Sequence, residues 1–444
     1  MTQHLSSTLY LIEPVKVEDR WFTAKLYGGG SEDRLAQELL LGAGGVRLLQ
    51  ALGLKTEVYH FNEGHAVFAG IELLGQAMAE GLSLDDALAK VKKQIVFTTH
   101  TPVKAGNEQH PIALMQEMGA DLGRSAEELT KLGGSPFNMT IAGLRLARHA
   151  NAVASLHAET ARDMWKQVEG AAPIRGITNG VHVPTWQDAR IRAATVLDKE
   201  PQIRARDLWT AHQRAKQELL ASIESQTGAK LDAEKLTIGF ARRAATYKRA
   251  MLIFGDEKRL EALLEKGLQL VFSGKAHPAD QAGKEIVAQL VAASKRWPKN
   301  IVFVEDYDMN WGAMLTRGVD VWLNNPRRPF EASGTSGMKA AMNGAPNLSI
   351  LDGWWPEGCE HGVTGWRIGD ESDKGVELSE EEMQVQDLRD RDALYSVLEK
   401  EVLPAYEDKS AWVQIMEASI RMSQWQFSSD RMVEDYFQYL YAPS

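Results

Sequence analysis

The sequence predicts an α/β protein with two Rossmann-like, doubly wound units. Short apolar runs rich in Val, Ile and Phe recur along the chain, and longer segments with helical spacing separate them. This alternation is typical of parallel sheets flanked by helices. The chain has 444 residues, which is enough for two or three domains of about 150 residues each.

The second half of the chain shows this pattern most regularly. We predict strands there at residues 236–241, 268–273, 301–305, 319–323 and 347–351. In the predicted helix at 278–293, Ile286, Leu290 and Val291 recur at the spacing of a buried helix face. The first half predicts strands at 57–61 and 94–99, with Ser83 and Asp86 as a capping pair for the helix between them.

The domain boundary is expected near residues 179–184, where a Gly-Val-His-Val-Pro loop follows a predicted strand at 175–178. We therefore expect one Rossmann-like domain at 1–180 and a second at 181–410. The C-terminal segment 411–444 is aromatic and amphipathic. We expect it to form a helix that packs back on the first domain.

Composition excludes several classes of function. Lys and Arg number 50 against 60 Asp and Glu, for a formal charge of -10, which argues against nucleic-acid binding because that affinity depends on neutralising phosphates. Cys359 is the single cysteine, so no internal disulfide can form and a cytoplasmic location is expected. No apolar run approaches the roughly 18 residues that span a bilayer, so we expect no membrane partner.

A Gly-Ser-Thr-rich string follows the predicted strand at 319–323, and it reads EASGTSGMK from Glu331 to Lys339. Such a run at a helix start leaves backbone N–H groups that can hold phosphate. The Lys339 amine could form a Schiff base with an aldehyde cofactor such as pyridoxal phosphate. Taken alone, a lysine after a Gly-rich turn is more often a solvated helix residue.

A basic string, RRAATYKR at 242–249, follows the predicted strand at 236–241. Strand ends are where open α/β sheets bind ligands, and Arg and Lys at such a place can hold phosphate oxygens. The alternative is a solvated helix start. Polar strings at 62–65 and 98–102 follow two strands of the first half, and their amides, hydroxyls and histidines suit a sugar. His60, Glu63 and His65 lack the H-E-x-x-H spacing, so no metal is expected.

Together these strings resemble the α-glucan phosphorylases, the glycogen and maltodextrin phosphorylase family, and in particular its shorter bacterial and archaeal members. The resembling segments run in order from about residue 10 to residue 355; they are LYGGGSEDRLAQELLLGAGGVRLLQALG, HFNEGHAVF, FTTHTPVKAGNEQHP, GITNGVHVPTW, IGFARRAATYKRA, FSGKAHPAD, GVDVWLNNPRRPFEASGTSGMKAAMNG and LSILDGWW.

The resemblance implies a GT-B fold, in which two Rossmann-like domains face a cleft, with pyridoxal 5'-phosphate bound as an imine to Lys339. The implied reaction is reversible phosphorolysis of an α-1,4-glucan such as glycogen or maltodextrin. Inorganic phosphate accepts a terminal glucosyl unit, and α-glucose 1-phosphate forms with retention of configuration. The resemblance also allows a homodimer.

Site residues are implied in the same way. Lys248 and Arg243 would hold the substrate phosphate, and the His100 carbonyl would face the anomeric carbon. The cofactor would be held by Lys339, Arg242, Thr335, Ser336, Trp186 and Tyr307. The sugar would be bound by Glu331, Ser333, Gly334, Asn179, Tyr247, Glu63 and His65.

Two departures from the family pattern stand out. Family members begin with a longer region that contains a Gly-Gly-Leu-Gly loop, and nothing in residues 1–27 resembles it. We therefore expect an N-terminally truncated first domain that opens with a strand at 8–12, so the activity of the chain alone is an open point. Long phosphorylases also place an Arg after the residue that matches Tyr307, where this chain has Asp308.

Two other functions stay open. One is a non-catalytic phosphorylase remnant that binds glucan or pyridoxal phosphate. The other is a retaining nucleotide-sugar glycosyltransferase on the same fold, which is the weakest reading because such an enzyme has no use for Lys339 in its Gly-Ser setting.

Overall fold

The computed structural model describes residues 20, 29–102, 106–196, 202, 203, 205–278, 280–371 and 378–442. The predicted strand at 8–12 lies outside them. Contacts between Cα atoms divide the chain into two compact units. The first unit contains the described residues up to Phe97, together with Asn107–Arg148 and Gly170–Ala172. The second contains Thr98–Gly106, His149–Glu169 and the rest from Pro173. The domain limits at residues 180 and 410 stay predictions.

The first unit is mainly helical around short strands. Its elements are α1 (Ser31–Leu39), α2 (Gly45–Ala51), β1 (Tyr59–Asn62), α3 (Val67–Ala79), α4 (Leu84–Lys92), the first part of β2 (Ile95–Thr99), β3 (Gln109–His110), α5 (Ile112–Glu117), α6 (Ala126–Gly133), β4 (Phe137–Asn138) and α7 (Met139–Leu146). The predicted capping pair is present, because the Asp86 amide donates to Ser83 Oγ at 3.2 Å where α4 begins. The strands predicted at 57–61 and 94–99 appear as β1 and β2.

A π-helical turn, Leu40–Gly44, joins α1 to α2. A Cβ atom on Gly42 would lie 2.6 Å from the Ala69 backbone nitrogen in α3. The missing side chain therefore lets two helices approach closely. Gly42 is therefore a helix-packing residue.

The second unit contains a six-stranded parallel sheet in the order β11-β10-β9-β12-β13-β14. These strands are β9 (Thr237–Ala241), β10 (Gln269–Ser273), β11 (Ile301–Val304), β12 (Val321–Asn324), β13 (Asn347–Ile350) and β14 (Gly365–Ile368). The first five match the predicted strands within two residues at each end. Every residue of these five is buried, which is why apolar residues predominate in them without an alternation of apolar and polar positions. The predicted α/β class with parallel sheets is confirmed.

Helices surround this sheet. They are α11 (Ala205–Thr227), α12 (Glu257–Glu265), α13 (Gln281–Arg296), α14 (Met309–Gly318), α15 (Thr335–Ala341), α16 (Trp355–Gly358), α17 (Glu380–Val397), α18 (Leu403–Glu407), α19 (Lys409–Gln424) and α20 (Ser429–Tyr436). Before them come β5 (His149–Ala152), α8 (Ser155–Trp165), β6 (Ile174–Gly176), α9 (Val183–Trp186), α10 (Ala189–Ala194), β7 (Thr195–Val196) and β8 (Gln202–Ile203). In the described part of the chain, no helix combines the length and apolar character needed to cross a membrane.

Strand β6 is shorter than the strand predicted at 175–178. The Thr178 hydroxyl donates to both carboxylate oxygens of Glu357, at 2.9 and 2.7 Å, so the chain leaves the sheet before this residue. The C-terminal segment packs beside the same loop. Arg431 in α20 donates to the Thr178 carbonyl at 2.7 Å, and Val181 forms a parallel bridge with Ser428.

A buried ionic network supports the amino ends of β9 and β12. Asp320 is fully buried and accepts hydrogen bonds from Lys216 Nζ at 2.5 Å and from the Thr237 amide at 2.7 Å. His212 Nε2 lies 2.9 Å from the other Asp320 oxygen. Lys216 also donates to the Tyr406 hydroxyl at 3.0 Å. The network therefore connects α11 to the sheet, and each buried charge in it has a partner.

Candidate functional site

Polar side chains gather at the carboxyl ends of three neighbouring strands, β9, β12 and β13. Arg242 follows β9, Asn324 ends β12, and Asp352 comes two residues after β13. Glu331 lies in the loop that follows β12. The strand order reverses direction between β9 and β12, and open parallel sheets bind ligands at such a reversal.

Glu331 is the centre of this group. Its two carboxylate oxygens accept hydrogen bonds from Lys248 Nζ at 2.7 and 2.6 Å, and Arg242 Nη2 donates at 2.9 Å. Arg242 also donates through Nη1 to the Asn324 side chain. Burial alone would raise the pKa of Glu331, but the charges of Arg242 and Lys248 hold it below its ordinary value. Glu331 is therefore an anion between two cations.

Lys248 is held by the local backbone. It ends a short turn, Thr246–Lys248, and the next residue, Arg249, has a left-handed φ of 52°. The Arg249 guanidinium donates to the carbonyls of Asn325 and Pro326 at 2.9 and 2.8 Å, so it ties this turn to the loop that carries Glu331. Burial and then the charge of Arg242 lower the pKa of Lys248 to about 8.

Asp352 holds the backbone of the Glu331 loop. Its two oxygens accept hydrogen bonds from the amides of Glu331 and Gly353, each at 2.8 Å. Asp352 is completely buried, and this burial raises its pKa to about 7. The Glu331 position therefore depends on a carboxyl group that titrates near neutral pH.

Lys339 lies in the second turn of α15 and not at its first residue. Its Nζ lies 3.4 Å from the centre of the Trp186 ring, and no carboxylate of the described residues pairs with it. Burial lowers the pKa of Lys339 to about 8. An amine with this pKa is partly neutral near pH 7, and the neutral form is the one that attacks an aldehyde.

Trp186 and Tyr307 both lie beside Gly312. A Cβ atom on Gly312 would lie 3.0 Å from the Tyr307 hydroxyl oxygen and 3.9 Å from the Trp186 ring. The Trp186 carbonyl accepts hydrogen bonds from Arg317 at 3.1 Å and Asn343 at 3.0 Å. Burial raises the pKa of Tyr307, and the Arg242 charge opposes the rise. The predicted cofactor residues Trp186 and Tyr307 are therefore close to each other, Trp186 lies against Lys339, and Tyr307 is within reach of the Arg242 charge.

Asp308 has a structural role. Its side chain accepts a hydrogen bond from the Trp311 amide at 2.8 Å, which caps α14. The position where long phosphorylases carry an Arg is therefore used here to begin a helix.

The Gly-Ser string turns into α15 as its composition predicts. Gly334 has a left-handed φ of 87°, a conformation that favours glycine, and it places the amides of Thr335 and Ser336 at the start of the helix. Ser333 is buried beside Glu331, and its carbonyl accepts a hydrogen bond from the Trp354 amide at 2.9 Å. The Ser333 Oγ atom has no hydrogen-bond partner among the described residues.

Tyr247 and Arg243 lie on the more open side of Lys248. The Tyr247 ring centre is 4.6 Å from Lys248 Nζ. Burial, followed by the Glu331 charge, raises the pKa of Tyr247 to about 12. Arg243 is exposed and close enough to Tyr247 to oppose that rise. Tyr247 therefore lies close to both predicted phosphate residues and to Glu331.

His100 and Asn179 also belong to the second unit. The His100 charge adds to burial in lowering the pKa of His157 to about 4. The Asn179 amide donates to the Val153 carbonyl at 3.0 Å, and its own carbonyl accepts from Arg431 at 3.3 Å. The substrate roles of His100 and Asn179 stay predictions.

Glu63 and His65 lie in the first unit. Glu63 has a left-handed φ of 70°, and its side chain accepts a hydrogen bond from the Gly64 amide at 3.3 Å. His65 Nδ1 lies 3.5 Å from Glu38 and 3.7 Å from Glu108. The side chains of Glu38, His65 and Glu108 are close enough to one another to share a metal ion.

An arginine already supplies positive charge to that group. Arg34 donates to both Glu108 oxygens at 2.9 and 3.0 Å, and its Nη2 lies 2.6 Å from His65 Nδ1. Burial would raise the pKa of Glu38, but hydrogen bonds with His110 and His65 bring it down to about 2. Arg34 thus occupies the place that a metal ion would need.

Sequence reasoning missed Asn324, Asp352 and Arg328. A signal for Asp352 was available, since it follows a predicted strand directly, as Arg242 does. Arg328, in the same loop as Glu331, lies close enough to lower the pKa of Asp352.

Comparison with known proteins identifies a family whose profile matches the part of the chain that carries this site. A family profile described as carbohydrate phosphorylase matches residues 176–359, the part of the chain that carries Arg242, Lys248, Glu331 and Lys339. The chain belongs to the carbohydrate phosphorylase family.

Its relatives within the family include glycogen and maltodextrin phosphorylases. The chain is 39% identical to the maltodextrin phosphorylase of Thermococcus litoralis, over 96% of this chain and 56% of that protein. It is 37% identical to the glycogen phosphorylase of Mycobacterium tuberculosis strain H37Rv, over 95% of this chain and 56% of that protein. The glycogen phosphorylase of Aquifex aeolicus is 35% identical, over 98% of this chain and 70% of that protein. The chain thus spans about half the length of the first two relatives.

Proposed function

We propose that the chain is an α-1,4-glucan phosphorylase dependent on pyridoxal phosphate. It would transfer a terminal glucosyl unit to inorganic phosphate and release α-glucose 1-phosphate with retention of configuration. The observation that carries the proposal is Lys339, a half-buried amine that lies against the Trp186 ring, has no ion pair among the described residues and belongs to the helix that follows the Glu331 loop. Family membership supports this reading of the amine.

The residues present fit the cofactor. Lys339 would hold its aldehyde carbon, Trp186 and Tyr307 would contact its ring, and Arg242 with the amides of Thr335 and Ser336 would hold its phosphate. Arg242 Nε is buried without a hydrogen-bond partner among the described residues, as expected of a donor whose acceptor is an anionic oxygen of a ligand. When bound, the cofactor supplies a phosphate group that acts beside the substrate phosphate as a proton relay and electrostatic partner.

The protein groups would bind and orient the reactants. Lys248 has a pKa of about 8, so at neutral pH it is mostly an ammonium that can donate to a phosphate oxygen. Arg243 would hold the same ion from the open side. Once Lys248 bonds phosphate, the Glu331 carboxylate is free to accept hydrogen bonds from the glucosyl hydroxyls, with Ser333 and Gly334 beside it.

Charge at the reacting carbon would be stabilised by oxygens. The transition state of glucosyl transfer has oxocarbenium character, so the His100 carbonyl and the phosphate oxygens would offset the positive charge that develops. Phosphate attack on the face from which the glucan leaves gives retention. Asn179, Tyr247, Glu63 and His65 would complete the sugar contacts. A homodimer and a cytoplasmic location stay predictions.

Phosphate-dependent release of glucose 1-phosphate from maltodextrin tests the proposal. The purified chain should release the ester and show a cofactor absorbance band, and Lys339→Ala should lose both. Lys230→Ala is a matched control, because Lys230 is exposed and Glu224, at 3.2 Å, is its single ion-pair partner among the described residues. A bound cofactor without ester at any glucan length would favour the non-catalytic remnant. Absence of the band would count against the phosphorylase itself.

A further inference from the structure

Two consecutive arginines in the loop after β12 are buried to the same extent, but they differ in how many of their N–H groups have hydrogen-bond partners among the described residues. Arg327 is 8% exposed and Arg328 is 7% exposed. Arg327 donates to the Met383 carbonyl at 3.0 Å, to the Gln386 side chain at 2.8 Å and to Asp387 at 2.9 Å. Its contacts with α17 account for its burial.

Within the part of the chain that the structure describes, Arg328 has no such partners. Its Nε and Nη1 atoms are buried without a hydrogen bond to any described residue, and no described carboxylate lies within ion-pair distance. Asp352 is near enough for the Arg328 charge to affect it, but the Asp352 oxygens accept the amides of Glu331 and Gly353. A buried guanidinium in this condition destabilises the ligand-free protein.

Other donors nearby are in the same condition. The Ser333 hydroxyl and Arg242 Nε are buried without partners among the described residues, and both residues lie next to Glu331 in space or in sequence. Native proteins leave few buried donors unpaired, so the group of such donors in the neighbouring loops after β9 and β12 points to a ligand that completes the site. Arg242, Lys248 and Arg328 bring three positive charges against the carboxyls of Glu331 and Asp352. This excess favours an anion over a neutral sugar.

We propose that Arg328 is a further ligand-contacting residue, whose buried guanidinium binds a phosphate oxygen in the Glu331 site. The proposal rests on the proposed function and adds a residue to it. The phosphate oxygen has two possible sources, inorganic phosphate and the phosphate of the cofactor. Both are anionic acceptors that a guanidinium fork can hold, and the experiment separates them.

The experiment compares Arg328→Gln, Arg328→Lys and the control Arg327→Gln in the full chain loaded with cofactor. Two quantities are measured: the thermal unfolding midpoint as inorganic phosphate is increased, and the cofactor absorbance that remains after dialysis. Neither depends on turnover. We expect Arg328→Gln to need at least about tenfold more phosphate for the same rise in midpoint, or to lose cofactor at least about tenfold faster, as a forked charged contact should give. Arg328→Lys should lie between Arg328→Gln and the wild type.

Without phosphate or cofactor the two glutamine variants should diverge. Arg328→Gln should keep or raise the unfolding midpoint, because it removes an unpaired buried cation. Arg327→Gln should lower the midpoint, because it breaks three hydrogen bonds to α17, and it should leave the phosphate response unchanged. A weaker phosphate response with the cofactor retained assigns Arg328 to inorganic phosphate. Faster loss of cofactor assigns it to the cofactor phosphate.

Three results would overturn the assignment of Arg328. Arg328→Gln could behave like Arg327→Gln, which makes the residue structural. It could change only the affinity for glucan, which makes the partner a hydroxyl. It could also match the wild type in both measurements while the wild type responds to phosphate and keeps its cofactor; then the assignment fails and the proposed function stands. If the wild type neither responds to phosphate nor shows the cofactor band, both proposals fail together.

Discussion

Lys248 Nζ lies within hydrogen-bond distance of both carboxylate oxygens of Glu331, at 2.7 and 2.6 Å. The residue predicted to bind phosphate is thus paired with the residue predicted to bind sugar. A carboxylate is the protein group whose charge and acceptors most resemble those of phosphate. Glu331 therefore accepts the hydrogen bonds of the Lys248 ammonium, and an anionic ligand would have to replace Glu331 as the acceptor.

Lys248→Ala should leave the cofactor bound and reduce turnover on the order of a hundredfold or more, as loss of one donor to a developing anion does. The cofactor absorbance band and the initial rate of glucose 1-phosphate release measure the two effects. Lys230→Ala should change neither. Unaltered phosphorolysis in Lys248→Ala would remove this residue from the phosphate site.

Asp352 should make stability depend on pH. Burial raises its pKa from 3.8 to about 7, so the folded state holds a proton that the unfolded state has lost between these values. Its contribution to stability is complete below about pH 4, decreases as pH rises, and is gone above about pH 7. In the Asp352→Asn variant, the amide side chain does not titrate, so this contribution to the pH dependence is absent. The difference in unfolding midpoint between wild type and Asp352→Asn should therefore shift against the wild type from pH 5 to pH 8, and a constant difference would contradict the raised pKa.

Lys339 should capture pyridoxal phosphate faster as pH rises. Its pKa of about 8, lowered by burial, means that the neutral amine fraction grows steeply between pH 7 and pH 9. The association rate, followed by the cofactor absorbance in the cofactor-free protein, should increase with a midpoint near pH 8. Lys339→Arg keeps the positive charge beside Trp186 and should give no band at any pH. A midpoint near the ordinary lysine value of 10.5 would show that burial does not affect the amine.

Asp320→Ala should be strongly destabilising. It leaves the buried Lys216 ammonium without its anion and removes the acceptor of the Thr237 amide. Breaking one side of a buried ion pair costs about 3–5 kcal/mol in the free energy of unfolding. Urea denaturation measures this cost. The double variant Lys216→Met with Asp320→Ala should lose less than the sum of the two single variants, because the pair acts as a unit; additive losses would contradict the coupling.

The sequence predicted the sheet of the second unit well because its strands are buried on both faces. Such strands are rich in Val, Ile, Leu and Phe, and short apolar segments separated by helical patterns are typical of them. The predicted strand at 175–178 begins one residue after β6 begins and ends two residues after β6 ends. Thr178, at its predicted end, instead gives its hydroxyl to Glu357, a partner far along the chain. Contacts of that kind leave no local pattern.

The candidate site was predictable in part for the same reason. Arg242, Glu331 and Lys248 lie near strand ends, and the strand order brings those ends together. The difference in hydrogen bonding between Arg327 and Arg328 could not be predicted from the sequence. The two residues are identical in type and adjacent in the chain, and only the position of α17 decides which of them finds partners.

The reversal of strand order between β9 and β12 has a mechanical consequence. Arg242 and Glu331 are 89 positions apart in sequence, yet they share a hydrogen bond of 2.9 Å. A ligand bound there would add a further link between the two halves of the sheet, which are already joined by the strand pairs Val321 with Ile238 and Trp322 with Gly239 and by the buried hydrogen bond from Thr237 to Asp320. Ligand binding should therefore make the two halves of the sheet unfold as one cooperative unit. Proteolytic cleavage in either half should then become slower as the ligand concentration rises.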